Sequence, residues 1–180
     1  MEFHDQSRGC TLYRATLPAG LAGLLTVREV HDFAWVFLDG KLTGVMNRRS
    51  NRSRIEVAER KEPTQLDLLV EAMGRVNFGP EVFDRKGIHA PVQLAGVELR
   101  DWQVFPLPLD EVELASLNYR ASTTTQEPAF HRGRFELAKV GDTFLDMRTW
   151  GKGVAWVNGH CLDGSGTLDL PRQCIVPVRG

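Results

Sequence analysis

Twenty-three aspartates and glutamates are distributed through this 180-residue chain. Acid–base cleavage of a glycosidic bond needs two carboxylates facing each other across a cleft, and spacing alone does not show which of these converge. Asp142 and Asp146, four positions apart on a strand, would point to the same face. A turn-capping Asp142 and a solvated Asp146 are the better reading. No serine stands in a Gly-x-Ser-x-Gly elbow, and Gly164-Ser165-Gly166 has the wrong spacing for one. Gly151-Lys152-Gly153 imitates a phosphate loop only in part. Asp146 occupies the place of the leading glycine, and Gly153 that of the hydroxyl residue, so a tight glycine turn explains it better.

Metal chemistry finds no clear seat. His4, His31, His89, His131 and His160 are dispersed, and the adjacent His160 and Cys161 would face opposite sides of a strand. Cys10, Cys161 and Cys174 show no C-x-x-C spacing, which argues against a disulfide framework and a cysteine zinc site. No cofactor or metal is expected.

Two binding chemistries are better represented. Arg48, Arg49, Arg52 and Arg54 fall within seven residues, a density suited to a polyanion or sugar contact because guanidinium makes planar bidentate bonds. The simpler reading is a solvated hairpin loop. Asn51-Arg52-Ser53 is formally a glycosylation sequon. Aromatic rings pack against the apolar face of a pyranose, and the chain has Trp35, Trp102, Trp150 and Trp156. Trp35 and Trp156 sit in apolar strands and read as core, whereas Trp150, followed by Gly151, reads as near a surface turn.

The elements that would position these groups are strands. Leu24–Val30, Ala34–Leu38, Arg54–Ala58, Gln65–Glu71, Val92–Leu94 and Trp102–Leu107 are short, rich in β-branched and aromatic residues, and separated by turn chemistry. Asp39-Gly40 takes positive φ cheaply and predicts a hairpin. Strands at roughly 8–12-residue spacing have the rhythm of a β-sandwich. Asp110–Tyr119 is a short helix or irregular linker, and the polar run Ala121–Pro128 a linker or long loop. A second β region follows at Ala129–Leu137, Asp142–Met147 and Val154–Val157. Its Ala155-Trp156-Val157-Asn158-Gly159 echoes Ala34-Trp35-Val36 with Asp39-Gly40 downstream, as two similar sandwiches in series would.

Composition bounds the rest. With 42% hydrophobic and 25% charged residues the chain is globular in type, long enough to bury about two-thirds of its unfolded surface. A formal net charge of -1 argues against a broadly basic nucleic-acid surface. The longest apolar run, Phe33–Leu38, is far too short to span a bilayer, so no membrane partner is expected. The acidic, polar start Met1-Glu2-Phe3-His4-Asp5 is unlike an export signal, so a cytoplasmic location is the expectation for the chain as given.

A family resemblance gathers these pieces. Asp142-Thr143-Phe144-Leu145-Asp146-Met147, Trp150-Gly151-Lys152-Gly153 and Trp156-Val157-Asn158-Gly159 closely resemble the C-terminal sandwich of family 35 β-galactosidases, with Pro128-Ala129-Phe130-His131-Arg132-Gly133 as its proline-aromatic approach. Gln6, Gly9 and Leu12-Tyr13-Arg14 resemble the opening of the preceding jelly roll. Leu68-Leu69-Val70-Glu71-Ala72-Met73-Gly74-Arg75-Val76-Asn77-Phe78-Gly79, with Lys86-Gly87-Ile88, is similar to its middle. The resemblance implies an all-β chain of two galactose-binding-like jelly rolls. The first is expected over residues 1–107, a linker over 108–127, and a second, truncated sandwich over 128–180. It also implies that the catalytic (β/α)8 barrel, which alone needs ~250 residues, is not in this chain. No catalytic residue carries over. The expected role is the non-catalytic portion of a β-galactosidase, as a fragment or frame-shifted remnant, with a stand-alone carbohydrate-binding module as the alternative. Asn77 and Trp150 are the candidate sugar contacts, and galactosides or the missing barrel the candidate partners.

The resemblance stops after Leu162. Codons can be chosen for residues 163–180 whose shifted frame restores the family pattern, so a lost base is one origin for this tail. Such a tail is expected to leave a sheet edge open and Phe144, Leu145 and Trp156 uncovered.

Overall fold

The computed structural model describes residues 1–6, 8–120, 128–138, 141, 143–147, 150–165 and 173–176. The chain divides into two units, Met1–Leu109 and Asp110–Gly180.

The first unit is built from eleven strands: β1 (Cys10–Leu17), β2 (Gly23–Val27), β3 (Val30–His31), β4 (Phe33–Leu38), β5 (Lys41–Asn47), β6 (Arg54–Val57), β7 (Thr64–Glu71), β8 (Gly87–Ile88), β9 (Val92–Leu94), β10 (Val97–Glu98) and β11 (Gln103–Leu107). A five-stranded sheet runs in the order β11-β1-β7-β4-β5 and a four-stranded sheet in the order β10-β9-β2-β6, with β3 and β8 forming a separate pair. Every pairing is antiparallel.

Alternation explains how the sheets close on each other. In β7, Leu66, Leu68 and Val70 are fully buried, and so are Leu17, Val36 and Met46 of the same sheet. They form one cluster with Leu25, Val27, Val57, Val92 and Leu94 of the other sheet. This is the interleaved interior of a β-sandwich. Truncating a leucine here to alanine costs about 2–5 kcal/mol, the transfer loss plus the cavity left behind.

The turns follow their residue types. Asp39 (φ 47°) and Gly40 (φ 77°) are both left-handed and close the β4–β5 hairpin, as the dipeptide predicts. The predicted strand Leu24–Val30 is interrupted: Arg28 and Glu29 form a turn between β2 and β3. At the start of β1, Gln6 Nε2 lies 2.8 Å from the Cys10 carbonyl and 3.1 Å from that of Leu107, and Thr11 donates to Gln6 Oε1 at 3.2 Å. Gly9 (φ 85°) lets the backbone pass there; a Cβ would stand 2.2 Å from the Leu107 oxygen.

In the second unit, helix α1 (Glu111–Ser116) falls inside the expected 110–119 segment. Strand β12 (Thr143–Asp146) pairs with β15 (Gln173–Val176), and β13 (Gly153–Val157) with β14 (His160–Ser165). Asn158 (φ 50°) and Gly159 (φ 80°) close the β13–β14 hairpin with the same left-handed pair as Asp39-Gly40. The tail thus contributes strand residues, where an unpartnered edge was expected. Phe144 is nonetheless 61% exposed, and Ala155 is the buried residue among the described ones of this unit. Leu145 and Trp156 are half-buried, so Trp156 is not the core residue its apolar strand suggested. Residues 129–137 were expected as a strand and form none. Phe135 and Leu137 do alternate with charged neighbours, but no described strand offers them a ladder, and both are exposed. The expected linker residues 121–127 lie outside the described residues.

Candidate functional site

One corner of the first unit gathers charges from three separate segments. Asp32 stands between β3 and β4, following a cis His31–Asp32 peptide. Arg48 opens the 3-10 turn that follows β5, and Asp84 and Lys86 flank the approach to β8. Lys86 Nζ donates to Asp32 Oδ2 at 2.7 Å and to Asp84 Oδ2 at 2.9 Å. Arg48 Nη1 donates to the same two carboxylates, at 3.1 Å to Asp32 and 2.7 Å to Asp84. The backbone N–H of Met73 adds a third donor to Asp32, at 3.0 Å. His31 Nδ1 sits 2.9 Å from the Arg85 carbonyl and 3.1 Å from Asp84 Oδ1. Both are acceptors, so this nitrogen carries the proton.

Two carboxylates and two cations cancel in a largely dry setting, the Lys86 side chain being 4% exposed. Burial pushes the Asp84 carboxyl up, but hydrogen bonds from Arg48 and Lys86, with their charges, outweigh it and hold the group at about 2. A general acid must hold a proton near working pH, and Asp84 does not. The cluster is a clamp rather than an acid–base pair. Sequence reading passed over it because Asp32, Arg48 and the Asp84–Lys86 pair come from segments 16 to 54 positions apart. The one local signal was the spacing of Asp84 and Lys86, two positions apart on an extended segment and so on one side.

The clamp fixes the base of the segment between β7 and β8. A second tie comes from Glu2, whose carboxylate accepts from Arg75 Nη1 and from the Lys86 backbone N–H, the latter at 3.1 Å. Burial raises the Glu2 pKa, yet these hydrogen bonds and the Arg75 charge bring it down to about 2. Beyond the ties the segment presents apolar side chains to solvent: Phe78 is 90% exposed and Phe83 87%, with Val76 and Val82 also outward. Phe3, next to Glu2, is equally bare. Asn77 lies in this lip, exposed.

A second apolar surface crosses the outer face of the five-stranded sheet. Phe105 pairs with Leu12, Leu12 with Leu69, Leu69 with Trp35, and Trp35 with Val45. This row spans all five strands on the side opposite the buried Val36, Leu68 and Val70. Trp35 is therefore an outer-face residue, half-buried and edge-on to Phe33 at 4.8 Å. Its strand is apolar on both sides, which is why the core assignment failed.

The arginine run divides between roles. Arg48 belongs to the clamp, while Arg52 lines a small concavity with Arg28 and His31. In the second unit Trp150 is 48% exposed and meets His131 edge-on at 5.1 Å. Asp142 lies outside the described residues, so the Asp142–Asp146 pair is not described. Among the described residues, no group of three or more His, Cys, Asp or Glu side chains is placed to hold a metal ion.

Residues 1–108 match the profile of the first all-β domain of β-galactosidases, and residues 128–164 that of the β-galactosidase galactose-binding domain. The chain belongs to the β-galactosidase family. The β-galactosidase of Xanthomonas manihotis is 39% identical over 160 residues, covering 88% of this chain and 26% of that protein. The human β-galactosidase is 34% identical over 180 residues, with 87% and 26% covered, and Dictyostelium discoideum β-galactosidase 1 is 33% identical over 181 residues, with 89% and 27% covered. The chain spans about a quarter of the length of these relatives. The family motif residues have visible work within the sandwich. Gln6 and Gly9 pin the start of β1 to the end of β11, Arg75 and Lys86 anchor the lip, and Gly87 (φ 115°) leaves room for the Tyr13 hydroxyl, 2.6 Å from where a Cβ would stand.

Proposed function

We propose that the chain serves as the non-catalytic β-sandwich portion of a β-galactosidase-like glycoside hydrolase and packs against that enzyme's catalytic part. The observation that carries this reading is the row Phe105–Leu12–Leu69–Trp35–Val45. A soluble sandwich gains nothing from a continuous apolar row on its outer face, whereas a domain covered by more protein does. The bare Phe78 and Phe83, on a segment tied at both ends by the Asp32, Asp84 and Glu2 contacts, support the same reading. Asp84 is held at about 2 by Arg48 and Lys86 and Asp32 is paired with the same two cations, which supports placing the catalytic acid and base in the covering part. The test is complementation. The Xanthomonas manihotis enzyme, truncated to remove the matching quarter, is mixed with this chain and assayed on a chromogenic β-galactoside. Recovered activity, abolished by Leu69→Lys or Val45→Lys in chains that melt normally, is the expected result. Failure to form a complex at micromolar concentration overturns the reading.

A second reading, galactoside binding by the second unit, is favoured by one observation, the exposed Trp150 edge-on to His131. Titration with galactose while following tryptophan emission tests it. A saturable change lost in Trp150→Ala supports the reading, and an unchanged spectrum removes it.

A further inference from the structure

The turn between β2 and β3 and the loop between β5 and β6 face each other across a concavity of about 110 Å³. Arg28, Asn47, Arg48, Asn51, Arg52 and Ser53 are among the residues that line it. From this lining we infer that the concavity is a binding site for one tetrahedral oxyanion, a sulfate or phosphate group, either as the free ion or as a monoester on a larger molecule. The inference is independent of the packing role proposed above.

The charge is one-sided. Three guanidiniums line the space and no carboxylate does. Arg28 and Arg52 have no side-chain partner among the described residues, so their charge is uncompensated. Arg48 differs: its Nη1 is spent on Asp32 and Asp84, which fixes the guanidinium plane and leaves its other N–H groups to donate. A donor already held by buried partners binds without losing side-chain entropy again.

The neutral donors are arranged to match. Asn47 Oδ1 accepts from the Arg49 backbone N–H at 2.9 Å, which assigns the amide orientation and leaves its NH₂ to donate. Asn51 holds its left-handed conformation (φ 53°) through its backbone N–H bond to the Arg48 carbonyl at 3.1 Å, so its amide side chain is uncommitted. The Ser53 carbonyl accepts from Val27 at 2.9 Å, pinning the loop to β2 while the hydroxyl remains available. The three guanidiniums, with the Asn47 NH₂ and the Ser53 hydroxyl, make the lining rich in donors and positive in charge. A tetrahedral oxyanion, with acceptors in four directions and negative charge, matches this better than a neutral sugar, which gains nothing from the charge. Size agrees, since sites for drug-sized ligands run about 300–1,000 Å³ and this one has ion dimensions.

The test uses the full 180-residue chain at constant ionic strength, with sodium sulfate, inorganic phosphate and galactose 6-sulfate titrated calorimetrically against sodium chloride. Saturable binding of one equivalent is expected for at least one probe and none for chloride. The Arg28→Ala/Arg52→Ala variant should bind at least 10-fold more weakly. Arg49→Ala, which removes the same kind of charge from the same loop, should leave affinity within 2-fold. Equal binding of free sulfate and the ester identifies the free ion as sufficient, and binding of the ester alone identifies a sulfated sugar; both support the site. No saturable binding, or equal loss in Arg49→Ala, overturns it. Circular dichroism of each variant confirms the fold, so a lost signal cannot be mistaken for unfolding.

Discussion

Lys86 and Asp32 lie 54 positions apart in the chain and meet at 2.7 Å, both with side chains nearly out of water. Their contact joins the β3–β4 junction to the segment before β8. A charge pair so placed contributes less than it would cost to break, because removing one member strands the other.

Lys86→Met is therefore expected to destabilise the first unit by about 3–5 kcal/mol, leaving two carboxylates with one cation. Arg48→Ala should cost much less, since its side chain is 40% exposed and water replaces it. Urea denaturation of the two variants, read from tryptophan emission, ranks them. Equal effects would show that the clamp is not buried as described.

Acid should loosen the same corner. Asp84 is held at about 2 against an ordinary 3.8, and Glu2 at about 2 against 4.5. The unfolded chain thus takes up protons first as pH falls. Their stabilisation is complete above about pH 5 and is lost progressively down to about pH 2. Urea midpoints measured across this range should fall steeply, and Asp84→Asn should flatten the slope.

Gly9→Ala is expected to cost roughly 3 kcal/mol, through a positive φ that alanine resists and a Cβ driven into the Leu107 carbonyl. Gly40→Ala, with open space around its Cβ, bears only the conformational part and should cost less. Thermal melts of the pair separate the two contributions.

The isolated chain should not hydrolyse a chromogenic β-galactoside. The carboxylate cluster among the described residues pairs Asp32 and Asp84 with Lys86 and Arg48, and Asp84, held at about 2, has no protonated form to offer near neutral pH. Turnover by material purified free of host enzyme would count against this.

Hydrogen exchange should distinguish the two units. Strands β1, β4 and β7 lie inside a sheet over a closed core and should exchange slowest. Strands β12 and β13 sit in two-stranded ladders and should exchange far faster. Equal protection in both units would contradict that expectation.

What the sequence disclosed was local. Asp39-Gly40 and Asn158-Gly159 announce their hairpins because the left-handed pair is a property of two adjacent residues. Strand β7 is legible because Gln65–Glu71 carries its own alternation and β-propensity. Trp35 was misplaced because Phe33–Leu38 is apolar on both faces, and no period of two can then say which face is inside. Residues 129–137 carry a strand-like pattern, but a strand exists only with a partner, and partnership is not written locally. The clamp and the concavity were invisible for the same reason: His31, Arg48, Asp84 and Lys86 become neighbours only when β3, β5 and β8 converge. The arginine run was visible as composition, while its division between a clamp and an ion-sized hollow needed the fold.

Cys10 and Leu107 are paired across β1 and β11, with Gln6 bridging the two backbones. The start of β1 and the end of β11 therefore lie side by side, about 5 Å apart as paired strands are, while the chain before β1 runs on to Lys86, whose carbonyl accepts from the Met1 ammonium at 2.8 Å. A circular permutant of this unit therefore needs a bridge that carries the chain from Leu109 to the Met1 end beside Lys86. New termini opened at Gly20, at Gly40 or in the exposed Ala58–Glu62 turn would leave every β1–β11 bond intact.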